Sequence, residues 1–182
     1  MHRHTVLPLL LSLAAACQPG VDAPVAPDLA RASSPPSTSS AVTEQRWLDI
    51  VQPYRAELLE ASAGLLYTSE SDYPFDYISR SLFLRDTLTL PVFRIAFGVP
   101  RTTPVAIRDL DRFFARHIEL VDPYDAAAVA LVPRYQNLKD QIRELLDAPK
   151  AYCVGSIQIR CYVVGTSPDG VVAGLATTSI ET

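Results

Sequence analysis

Three apolar stretches close the chain, residues 152–154, 157–165 and 171–180, and the residues that separate them decide how they can be arranged. Gly155-Ser156 parts the first two and Ser167-Pro168-Asp169-Gly170 parts the last two. In the second break proline presets φ for a turn and glycine permits φ > 0. Strands joined by connections this short run antiparallel, because a parallel return needs a long crossover. The tail therefore predicts two or three antiparallel neighbours, and whatever else the chain builds has to pack against them.

Residues 44–62, EQRWLDIVQPYRAELLEAS, place Trp47, Ile50, Val51, Tyr54, Leu58 and Leu59 at helical spacing. Pro53 lies inside, so the spacing predicts a helix that restarts there with the proline in its first turn, and Gly64 is expected to end it. Residues 75–83 and 91–99 are apolar and rich in aromatics and read as strands, edged by Pro91 and Pro100. Residues 105–107 suggest a third, shorter strand. A helix is expected over 109–118 with Leu110, Phe113 and Phe114 on one face. A longer one is expected to run to about residue 146, capped by Asp122 or Asp125, burying Val129, Val132, Tyr135, Leu138, Ile142 and Leu145. Pro133 falls within it and predicts a start or a bend nearby. Helices before, between and beside strands, without repeating βαβ units, make the class α+β.

The start of the chain reads differently. Residues 1–16, MHRHTVLPLLLSLAAA, are basic, then apolar, then small. The run is short of the roughly 20 apolar residues that cross a bilayer, so it reads as a secretion signal. Leu13-Ala14-Ala15-Ala16-Cys17 resembles the lipobox of bacterial lipoproteins, with the leucine four places before the cysteine instead of three. That resemblance implies lipidation of Cys17, and Gln18 in place of an aspartate implies the outer membrane, facing the periplasm. An ordinary secretory signal with an incidental Cys17 is the alternative. Residues 17–43 then hold that cysteine and a Pro-, Ala- and Ser-rich stretch without aromatics, which cannot bury enough apolar surface to order itself and is expected to be a tether. Residues 44–182 are left as one domain.

Removing residues 1–16 takes away Arg3 and no acid, so 15 basic and 20 acidic side chains remain, a net formal charge of −5. That excludes a broad basic footprint for direct nucleic-acid binding and favours a basic protein surface as partner. With Cys17 assigned to lipid, Cys153 and Cys161 flank a hairpin. They form a disulfide in an oxidising compartment if their Cα atoms approach to about 4.4–6.8 Å, and two buried thiols are the other outcome. Catalysis finds little support. His2 and His4 leave with the signal, His117 alone could act as a general base, and neither a nucleophile elbow nor a glycine-rich phosphate loop is present.

Residues 57–75, ELLEASAGLLYTSESDYPF, carry an apolar helix directly into acids and aromatics. The turn Ser69-Glu70-Ser71-Asp72 sets two carboxylates and two hydroxyls between Leu65, Leu66, Tyr73 and Phe75, and anchoring of that kind lowers the entropy lost when such groups engage a partner. This stretch, together with Gly64-Leu65-Leu66-Tyr67, Asp109-Leu110-Asp111-Arg112-Phe113-Phe114 and the closing Ile180-Glu181-Thr182, resembles the nuclease A inhibitor family from about residue 58 to the end. The resemblance implies a single-domain α/β/α sandwich around a mainly antiparallel sheet. It implies an inhibitor, not an enzyme, that blocks a sugar-non-specific, Mg-dependent DNA/RNA endonuclease. It further implies that Glu70 and Thr182 ligate the Mg ion of the partner nuclease, the chain having no cofactor of its own, with Asp72, Tyr73 and Asp122 supporting the interface. Where the family pattern has a tryptophan after that aspartate, this chain has Pro123, and residues 79–103 match poorly. The alternative is an envelope lipoprotein that keeps the fold, has lost nuclease inhibition and binds another protein through residues 79–103.

Overall fold

The computed structural model describes residues 38–84 and 87–182, which belong to one compact unit. The signal, Cys17 and most of the expected tether lie outside the described residues. In chain order the elements are α1 (Thr38–Ser62), β1 (Leu66–Thr68), β2 (Asp72–Pro74), β3 (Asp76–Phe83), α2 (Leu90–Phe97), β4 (Val105–Arg108), α3 (Leu110–Ile118), α4 (Ala126–Leu145), β5 (Asp147–Val154), β6 (Gln158–Thr166) and β7 (Val171–Ile180). Five strands form one sheet in the order β3-β7-β6-β5-β4, and β1 and β2 form a separate hairpin; every pairing is antiparallel.

The alternation of side chains along the strands creates two cores. On one face Cys153, Cys161, Val163 and Leu175 meet Leu58 of α1, Phe113 and Phe114 of α3, and Leu138 and Ile142 of α4. On the other, Tyr152, Val164 and Val172 meet Phe93 of α2, whose ring stacks on Tyr152 at 4.3 Å. The result is an α+β sandwich with helices on both sides of the sheet. Asp111 of α3 binds Lys139 and Arg143 of α4 at 2.9 and 2.6 Å, and those two hydrogen bonds hold its carboxyl below the usual range. Cys153 and Cys161 face each other across β5 and β6 with Cα atoms 4.0 Å apart, slightly closer than the expected window, and are joined by a disulfide. Loop-closure entropy gives such a link about 2.5 kcal/mol.

The structure corrects five readings. Residues 91–99 are not a strand: α2 begins with Pro91 in its first turn and ends at Gly98 in the left-handed conformation, φ 66°. Phe93 is fully buried there while Ile95, two residues on, is 81% exposed, a change a flat strand face would not produce between i and i+2. Helix α1 runs unbroken through Pro53 because the turns on both sides bury a residue, Val51 and Leu58, against the same body, and it begins at Thr38, inside the stretch read as tether. Helix α4 likewise passes Pro133 without a restart. Its cap is Asp125, whose carboxylate accepts the amides of Ala127 and Ala128; Val129, expected in the core, is 42% exposed because the first turns of α4 extend past the sheet-facing stripe.

Candidate partner-binding site

The acidic turn sits at the tip of the β1–β2 hairpin, where Tyr67 pairs with Tyr73 and Thr68 with Asp72. Tyr67 points inward, stacked on Phe113 at 4.8 Å and edge-on to Phe75 at 6.4 Å, so one strand residue roots the hairpin in the core. Its backbone is tied from outside as well. The Tyr135 hydroxyl donates to the Leu66 carbonyl at 2.6 Å, Arg116 to the Thr68 carbonyl at 3.0 Å, and the Thr177 hydroxyl to the Tyr73 carbonyl at 3.3 Å. Within the turn the Ser69 hydroxyl donates to the Ser71 carbonyl at 2.8 Å and accepts the Ile180 amide at 3.0 Å.

Strand β7 delivers the last residues to this tip. The Glu70 amide donates to the Ile180 carbonyl at 3.4 Å, and the Glu181 amide to the Ile157 carbonyl at 3.0 Å. The Thr182 hydroxyl and amide both donate to Glu70 Oε1, at 2.6 and 3.0 Å. The hydroxyl bond first, and the amide bond second, hold the Glu70 carboxyl below its ordinary range. Two residues 112 positions apart in sequence thus form one exposed anionic unit. Glu181, beside them, accepts from the Ser179 hydroxyl at 3.4 Å and lies 3.9 Å from Arg108.

Asp122 lies apart, on the loop from α3 to α4, where its carboxylate accepts the Tyr124 amide at 2.9 Å. Among the described residues no hydrogen bond joins it to Glu70 or Thr182. It does line a cleft of about 190 Å³ with Thr68, Arg116, His117, Leu120 and Tyr135, which sets the loop beside the strand that carries the turn. Residues 52–182 match the sequence model of a family described as nuclease A inhibitor-like protein. The chain belongs to that family. No curated protein matches the chain.

In this nuclease A inhibitor-like protein, the sites read from sequence divide into a joined pair, Glu70 with Thr182, and flanking groups, Asp72 and Tyr73 in the hairpin and Asp122 on the loop. His117, the one candidate base, is only 6% exposed, packed flat on Tyr135 at 4.5 Å and edge-on to Tyr67 at 5.1 Å. Burial first, then the Arg116 charge, lower its pKa to about 4, with Asp72 pulling the other way. A ring so enclosed serves the floor beneath the hairpin. Sequence reasoning missed Arg116 and Thr177, and the hydrogen-bonding roles of Ser69 and Tyr135, because all four fix the tip through backbone carbonyls or amides. It also missed Tyr124, 95% exposed beside Asp122, although an aromatic in a Pro- and Asp-rich loop was a signal in plain view.

Proposed function

We propose that the chain inhibits a sugar-non-specific, Mg-dependent DNA/RNA endonuclease by filling its active-site cleft with the tip formed by Glu70 and Thr182. The observation that carries this reading is the pair of hydrogen bonds from Thr182 to Glu70, which hold a carboxylate ionised and in place at an exposed point. Mg²⁺ takes oxygen ligands, and the Glu70 carboxylate and Thr182 hydroxyl are donors of that kind, so these residues fit the ion. Among the described residues no group of three or more His, Cys, Asp or Glu is gathered to hold a metal, so the remaining ligands would come from the nuclease. The ion would supply electrostatic attraction between the two proteins. The carboxylate would stand where a substrate phosphate oxygen stands and offer no bond to break. The turn is ordered before binding, so little entropy is lost on docking. Asp122 and the exposed ring of Tyr124 would extend the contact, Tyr124 supplying the aromatic surface that Pro123 does not.

Inhibition of a Mg-dependent endonuclease exported by the same cell, by residues 38–182, tests this. Glu70→Gln and deletion of Thr182 are each expected to weaken inhibition by about tenfold or more, as loss of one partner from a charged contact does. Glu44→Gln, exposed on α1, should leave it unchanged. Failure of the unaltered protein to inhibit, or full inhibition by both variants, would reject the reading. We further propose that Cys17 carries lipid and holds the protein at the outer membrane, on the strength of residues 13–17. The mass of the mature protein extracted from membranes should show a diacylglyceryl-modified Cys17; an unmodified N-terminus would count against it.

A further inference from the structure

Residues 87–104 contain two arginines, Arg94 and Arg101, and no aspartate or glutamate, in a chain whose net formal charge is −4. The stretch comprises α2 and the loops that flank it, on the sheet face opposite the core that roots the hairpin. Helix α2 turns Phe93 inward and leaves Pro91 and Ile95 outward, and with Leu90, Val99 and Pro100 they line an open groove of about 750 Å³ bounded by Arg94 and Arg101. Arg94 donates to the carbonyls of Pro100 and Thr103, and Arg80 donates to those of Ala96 and Ser79 while lying over the Phe97 ring at 4.6 Å. Carbonyls fix these guanidinium groups without neutralising them. Among the described residues no carboxylate pairs with Arg80, Arg94 or Arg101, and the ion pairs that the described residues do form lie elsewhere.

The backbone around the groove is also closed to a peptide. Pro91 and Pro100 have no amide hydrogen, the amides of Gly98 and Val99 donate to the carbonyls of Ile95 and Arg94, and Arg94 occupies the carbonyls of Pro100 and Thr103. What remains is apolar surface ringed by positive charge. That combination suits the headgroup region of a bilayer, where apolar side chains sit at the acyl boundary and guanidinium groups meet phosphates. It suits nucleic acid poorly, since no exposed aromatic platform accompanies the arginines.

We propose that the face formed by α2 and residues 98–101 docks on an anionic phospholipid surface. Because it lies across the sheet from the acidic tip, membrane contact leaves that tip free. The docking is weak and reversible, as a single apolar side chain and a few arginines provide. It does not depend on acylation or on nuclease inhibition.

Flotation of residues 38–182, which contain both cores whole and lack Cys17, with vesicles of phosphatidylcholine alone or mixed with phosphatidylglycerol tests the proposal. Anionic vesicles should carry at least about fivefold more protein than neutral ones, and about 0.5 M salt should remove the difference. Ile95→Asn with Arg101→Gln should abolish the excess without changing the circular dichroism spectrum, both side chains being exposed. Glu70→Gln should float like the unaltered protein, so this inference and the nuclease reading fail separately. Equal flotation with both lipids, equal flotation of the unaltered and doubly substituted proteins, or retention on duplex DNA in place of vesicles would overturn it.

Discussion

Gly174→Ala should destabilise the protein by more than about 4 kcal/mol, a large share of the stability of an ordinary domain. Gly174 lies in β7 between Ile78 of β3 and Val164 of β6, at φ 154°. A Cβ placed there would stand 2.0 Å from the Val163 carbonyl oxygen and 2.9 Å from the Val164 Cα. Both are backbone atoms, so no rotation of a side chain can relieve the overlap, and the strand would have to move away from β6 along the best-paired stretch of the sheet. Steric insertion of this kind in a packed core costs more than about 4 kcal/mol, against a total stability of about 5–15 kcal/mol. Gly98→Ala is the control. Its φ of 66° is also left-handed, but nothing lies within 4 Å of the added methyl, so the change should cost only about 1–2 kcal/mol. Urea unfolding of the two variants would measure the contrast; a Gly174→Ala protein as stable as the Gly98→Ala protein would refute the close approach of β6 and β7.

The second large effect is expected from acid. The His117 pKa of about 4 lies below its unfolded value of 6.5, because burial and Arg116 disfavour the charged ring. A folded state that binds the proton more weakly than the unfolded one loses stability as pH falls. The contribution is intact above pH 6.5, declines between 6.5 and about 4, and is then constant at a loss of about 3 kcal/mol. Among the described residues Nε2 has no hydrogen-bond partner, so His117→Phe keeps the stacking on Tyr135 and surrenders no hydrogen bond there. The gap in unfolding free energy between this variant and the unaltered protein should widen by about 3 kcal/mol from pH 7.5 to 4. Carboxylates titrating in the same range affect both proteins alike. A gap independent of pH would mean that the ring binds its proton as readily in the folded state as in the unfolded one.

Local chemistry made much of the architecture legible. The turn at Pro168-Asp169-Gly170, the cap at Asp125, one of the two aspartates offered, and the stripe of Tyr135, Leu138 and Ile142 each report on neighbours a few positions away, and the structure has them where the sequence put them. Helix α2 reads as a strand because eight residues as apolar as LPVFRIAF give little contrast between a period of 2 and one of 3.6; Pro91, in its first turn, serves equally as a strand edge, and the stop at Gly98 lies inside the apolar run 91–99. The bond between Glu70 and Thr182 could not be read from either segment. It depends on the register that places Ile180 opposite Gln158 and within reach of Ser69, and register is a property of the assembled sheet. The resemblance named the two residues; only the fold gives them a common position.

Strand β7 fills a place that the order of synthesis leaves open until late. Its neighbours are β3 and β6, and β3, at the sheet's edge, has no other strand beside it. A chain that emerges from its first residue, from the ribosome or through an export channel, presents β3 about 90 residues ahead of the strand that will cover it. During that interval its hydrogen-bonding edge and the apolar side of α1 are without their final cover. A nascent chain of this protein would therefore benefit from a holding factor until residues 171–180 emerge, and its assembly completes inward, with an interior strand arriving last between two that are already waiting.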